Sequence, residues 1–237
     1  HALIVTSATY RQSSQASSES MAADPDNRWL ARGPKHRLQA EQIRDQALAV
    51  SGLLVKQMGG PSVKPYQPAG YYAQLQFPDR DYVASDDDEQ WRRGLYMHWQ
   101  RTFLHPMLAN FDAPSRDECA AQRVVSNTPQ QALTLLNDPS FVEAAKLFAA
   151  RLVNAKAASD DERLDRAFQS AVARSAKEKE KASLREFLAT QRNYYRANTA
   201  DAEKLLKTGA SPPPAGDKAE LAAWTSLCRV VLNSQEA

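Results

Sequence analysis

Thr128-Pro129 and Asp138-Pro139 stand ten residues apart, each leading into apolar residues at helical steps. A hydroxyl or carboxylate before proline caps a helix, and proline suits the first helical position, where its missing N–H leaves no bond unmade. The second start launches a helix to about Val153. The pattern continues downstream. Asp160-Asp161-Glu162 opens a stripe of Leu164, Ala167, Phe168, Ala171 and Val172, and Asp217 opens another through Leu221, Trp224, Cys228 and Val231. This periodicity predicts an all-α fold, a multi-helix bundle.

Upstream, the spacing predicts a helix over residues 1–12 and a Ser-rich stretch that turns at Asp24-Pro25-Asp26-Asn27. Leu38, Ile43, Ala47, Val50, Leu53 and Leu54 predict one long helix from Arg37 to Met58, stopped by Gly59-Gly60-Pro61. Residues 61–88 form a long Pro/Tyr-rich irregular segment, too aromatic to be disordered. Trp91, Leu95, Trp99 and Phe103 at four-residue steps predict a helix over 89–103, with a strand through Leu95, Met97 and Trp99 as the lesser option. Ser115 is the expected cap of a short helix to about Val124, and a charged helix follows from Lys177 to Ala197. Pro212-Pro213-Pro214, between Gly209 and Gly216, reads as a stiff linker. Residues 1–138 and 139–237 are the expected N-terminal helical part and C-terminal bundle, two helical subdomains of one continuous piece of a longer polypeptide.

Composition excludes several functions. In 237 residues, 30 Lys+Arg against 28 Asp+Glu leave a net charge of +2, too balanced for nucleic acid. No apolar run is long enough for a membrane-spanning segment. Cys119 and Cys228 lie far apart and neither precedes a histidine, so the piece attaches no c-type haem and no cofactor is expected in it. Both cysteines read as small buried residues, with a disulfide as the alternative. No nucleophile elbow, phosphate-binding loop, dinucleotide-binding glycine pattern or zinc signature occurs.

The densest polar constellation includes His98, Arg101, His105, Asp112 and Arg116. His98 with Asp112 is the chemically sensible acid–base pair, whereas an Asp at this place serves equally to pin a turn. Arg101, His105 and Arg116, with Tyr66, Tyr71 and Tyr72 of the irregular segment, are candidate binding residues. Asp86, Asp87, Asp88 and Glu89 form a carboxylate cluster without calcium-loop spacing, better suited to starting a helix. Glu41 and Asp45 have the spacing of a glycosidase pair, but their arginine neighbours point to ion pairing.

Six blocks in order carry a resemblance: Leu3 to Ser14, His36-Arg37-Leu38 with Glu41 to Leu48, Gly59 to Val63 with Tyr66-Gln67-Pro68, Arg92 to Tyr96, Phe111 to Arg116, and Asn127 to Leu133. Together they resemble the C-terminal domain of unknown function of planctomycete-type secreted multidomain proteins, the planctomycete-specific domain often found with cytochrome c-like modules. The resemblance implies a periplasmic or extracellular location, a haem in a separate upstream domain, and partners among the other domains of the same polypeptide. It also implies a setting of polysaccharide breakdown with glycan as a further partner, and it assigns no catalytic residue. The expected function is therefore a helical interaction or accessory module. The alternative is a polysaccharide hydrolase using the His98/Asp112 pair.

Overall fold

A computed structural model describes residues 1–34, 36–74, 81–100, 103–156 and 159–234. Among these the chain is all-α, and its contacts separate into two units, His1–Leu38 and Gln39–Ala237.

The first unit holds two short helices, α1 (Ala2–Val5) and α2 (Ser18–Ala23). The expected helix over 1–12 ends after one turn, because the Thr6 and Ser7 hydroxyls donate to the carbonyls of Ala2 and Ile4 and compete with the helical ladder. The Ser-rich stretch instead contains α2, capped by Ser17, whose Oγ accepts from the Ser20 N–H. Beyond it the Asp24 carboxylate accepts from the N–H groups of Arg28 and Trp29, and Arg32 donates back to the carbonyls of Asp24 and Pro25.

The second unit begins with α3 (Ala40–Ser51), which stops at Gly52 rather than running to Met58. Gly52 takes the left-handed conformation at φ 84°, and Leu53 and Leu54 donate back to the Leu48 carbonyl, closing the helix end. Over the described residues 89–100 the predicted helix is replaced by extended backbone around 3-10 turns at Asp88–Trp91 and Gly94–Tyr96. Long-range bonds override the four-residue stripe: Val55 N–H donates to Trp91, Val63 N–H to Tyr96, and His98 N–H to Val63. Gly94 lies so close to α3 that a Cβ there would meet Glu41 Cα at 2.9 Å.

After α4 (Pro106–Asn110), residues 116–124 form bends, not the helix expected from Ser115. The Thr128-Pro129 and Asp138-Pro139 starts hold. The first launches α5 (Pro129–Asn137) through a capping box with Gln131, the second α6 (Pro139–Asn154). Next come α7 (Asp160–Val172), α8 (Glu178–Ala197), α9 (Thr199–Leu206), which lacked a sequence signal, and α10 (Lys218–Leu232).

Helix α6 belongs to both hydrophobic cores. Phe148 and Leu152 join Leu164, Leu188, Leu221, Trp224 and Leu227 in one core, while Phe141 and Ala144 join Ala40, Ala47, Met107 and Leu108 in the other. Each large side chain buried this way contributes roughly 1.5–3 kcal/mol, which is why helices of modest propensity hold. No helix among the described residues is long and apolar enough to cross a membrane.

Candidate functional site

Helix α6 is apolar on most of its circumference, yet it carries Glu143 and Lys146 one turn apart, both fully buried. Such groups survive burial only when they are hydrogen-bonded. Glu143 accepts from Tyr66 Oη at 2.9 Å, Trp91 Nε1 at 3.1 Å and the Ser211 N–H at 2.6 Å. Lys146 Nζ donates to the carbonyls of Thr208 and Ser211. Burial pushes the Lys146 ammonium below its ordinary range, against the pull of Glu143. The Pro-rich stretch expected as a linker is therefore pinned against α6. Gly209, at φ 89°, is required there because a Cβ would fall inside the Glu143 carboxyl.

Two arginines continue this seam. Arg44 on α3, 1% exposed, donates to the main-chain carbonyls of Gln90 and Arg92. Arg92 donates to Gly59 and Pro61 carbonyls and stacks its guanidinium on Tyr96, 4.3 Å from the ring centroid. Burial holds Arg44 below its usual value, with Asp45 and Asp138 opposing the shift. The guanidinium groups thus supply, from side chains, the donors that regular structure would supply to an irregular segment.

His105, 3% exposed, completes the seam. Its Nδ1 accepts from the Met107 N–H, capping α4, and its Nε2 donates to the Tyr66 carbonyl at 2.7 Å. These bonds need a neutral ring with the proton on Nε2. Burial lowers its pKa to about 4, overcoming the opposing bond to Tyr66.

The sequence-derived candidates are divided among several environments. Asp112, at φ 60°, accepts from the Ser126 N–H and hydroxyl at 2.8–2.9 Å and from Gln131 Nε2 at 3.4 Å, so it pins the approach to α5. His98 Nδ1 lies 3.5 Å from Ser62 Oγ. The Arg116 guanidinium stacks on Trp99, 3.6 Å from the ring centroid. Tyr71 donates to the Leu104 carbonyl, and Tyr71, Tyr72, Tyr82 and Phe103 pack edge-to-face or tilted, with centroids 5.2–6.1 Å apart. Arg101 lies outside the described residues.

In the acidic cluster of Asp86, Asp87, Asp88 and Glu89, the Asp87 carboxylate caps the 3-10 turn at Asp88–Trp91 by accepting from the Glu89 N–H. No group of three or more His, Cys, Asp or Glu among the described residues is placed to hold a metal ion. Glu41 forms a two-bond pair with Arg123, and Asp45 accepts from the Gly94 N–H at 2.6 Å. Both carboxylates therefore hold structure, with Arg123 and Arg93 as partners in place of the sequence neighbour Arg44, which donates to main-chain carbonyls.

Sequence reasoning missed Glu143 and Lys146, and it noted Arg44 and Arg92 without foreseeing that both are buried. The signal for Glu143 and Lys146 was present: an acid and a base at i and i+3 in a helix apolar over most of its circumference.

A helical module whose irregular segment is tethered by buried charge is the class these features define. The chain belongs to the family described as PSD1, protein of unknown function (DUF1553), whose profile matches residues 1–188. No curated protein and no solved structure matches it.

Proposed function

We propose that this chain is a non-catalytic accessory module of an exported, planctomycete-type multidomain protein. It docks other domains of the same polypeptide, or glycan, in the periplasm or outside the cell, in the service of polysaccharide breakdown. A haem in this reading belongs to a separate cytochrome c-like domain upstream. The observation that supports a non-catalytic role is the use made of Asp112. Its carboxylate accepts from Ser126 and Gln131, and its work is to hold main chain in place.

The test is Asp112→Ala with two readouts, thermal melting and release of reducing ends from a polysaccharide panel. The expected result is no release by either form and a stability loss of about 1–3 kcal/mol from the unmade bonds. Release by the parent, abolished in a variant with unchanged melting, would establish the hydrolase instead.

A further inference from the structure

Five helices of the second unit, α5, α6, α8, α9 and α10, converge on a cleft of about 330 Å³ lined by Asn137, Tyr194, Asp201, Lys204 and Arg229. Val142 and Leu205 give it apolar wall. This size lies at the lower end of small-ligand pockets, roughly 300–1,000 Å³. None of these side chains takes part in the Glu143 or Arg44 seam, and all but Asn137 and Val142 lie beyond the part of the chain that the family profile matches.

Its central feature is Tyr194, 46% exposed yet held from two sides. Its hydroxyl donates to Asp201 Oδ2 at 2.6 Å. Its ring meets Tyr195 edge-on, 5.1 Å between centroids, and Tyr195 is itself buried and bonded to Ser226 Oγ. The cost of orienting an exposed aromatic ring is thus met before any ligand arrives.

Around the ring the polar groups divide by role. Arg229 donates through Nε and Nη2 to the Leu136 carbonyl, which fixes the guanidinium plane and leaves Nη1 uncommitted among the described residues. Lys204 makes no ion pair among the described residues, so the cleft lining carries two cations and one carboxylate. Asn137 commits its amide N–H to Leu133 and keeps its carbonyl oxygen as an acceptor. Another cleft of the bundle, which holds two arginines, differs on this point: Arg166 is paired with Glu162 and Arg151 donates to the Val50 carbonyl.

We propose that the Tyr194 cleft binds a pyranose that bears a carboxylate, a hexuronic acid unit. The fixed ring offers its face to the C–H face of the sugar, Asp201 and Asn137 accept from hydroxyls, and Lys204 with Arg229 engage the carboxylate. This gives the accessory module a ligand class and rests on the chain being a binding element.

The test is calorimetric titration of the whole chain with a galacturonic acid trimer and, in parallel, the neutral galactose trimer, with reducing ends assayed in the same samples. The acidic trimer is expected to bind, the neutral one at least about tenfold more weakly. Lys204→Ala and Tyr194→Ala should each weaken the acidic trimer by a similar factor while melting stays unchanged. Should Tyr194→Ala disturb folding, Tyr194→Phe keeps the ring, loses only the tether to Asp201, and is expected to bind more weakly than the parent. Equal affinity for the two trimers, indifference to Lys204→Ala, or no binding of either sinks the cleft and leaves the accessory reading standing. Lys204-dependent binding with release of reducing ends supports the cleft and removes the accessory reading.

Discussion

Histidine 105 makes the stability of this fold depend on pH between its folded and its ordinary value. The folded chain keeps the ring neutral down to about 4, whereas the ordinary value in an unfolded chain is 6.5. Between those limits the unfolded chain takes up a proton that the folded chain refuses, so the free energy of unfolding falls as pH falls. The contribution is absent above 6.5 and complete below about 4. From 6.5 to about 4 it amounts to about 3 kcal/mol, a large share of the roughly 5–15 kcal/mol that holds a typical domain. Burial raises the Asp45 and Asp138 carboxyls above their ordinary range, so their protonation favours the folded chain as pH falls and opposes the histidine. Glu180, held at about 2 by its bonds to Arg174, loses its contribution only as pH falls below its ordinary 4.5. Urea unfolding at half-unit steps from pH 7.5 to 4 measures the slope. His105→Asn keeps a capping side chain, lowers the starting stability and should remove most of the slope across this window. A variant that retains the parent's slope would refute the assignment of a neutral, Nε2-protonated His105.

Three further expectations follow from particular positions. Gly209→Ala drives a methyl into the Glu143 carboxyl at a left-handed backbone position and should cost about 2–4 kcal/mol, seen as a shifted urea midpoint. Gly70→Ala, at φ 74° with nothing within 4 Å of the added carbon, should cost only the backbone strain, about 1 kcal/mol. Both cysteines are free thiols, Cys119 exposed and Cys228 buried with its pKa raised by burial. A chromogenic disulfide reagent should therefore titrate one thiol in the native chain and two in denaturant without reductant; none in denaturant would reveal a bridge.

What was legible in the sequence was local. Thr128 with Gln131, Asp138 before Pro139, and the acidic start at Asp160 specify helix ends through bonds made within a few residues, so α5, α6 and α7 were readable. The failures came where distant partners decided the matter. Trp91, Leu95 and Trp99 have helical spacing, but Leu95 is 63% exposed and Trp91 donates to Glu143, a partner 52 residues away. Gly52 ended α3 seven residues before the more conspicuous Gly59-Gly60-Pro61, because one left-handed residue with a Leu48 carbonyl to close on suffices. The buried seam had no local signature on α3, where Arg44 sits among other polar residues and looks like one more solvated side chain. Asp112 was readable as a turn-pinning residue, but its partners Ser126 and Gln131 were not, since nothing in the sequence marks which segment returns to meet it.

The grip of Arg44 on two carbonyls, those of Gln90 and Arg92, works as a gauge of chain length. A guanidinium presents its η nitrogens at a set separation, so the gap between those two residues admits neither insertion nor deletion. Insertions are expected to be tolerated only in stretches that neither buried arginine touches. Around position 91 the spacing of the chain is thus set by the helix that carries the arginine.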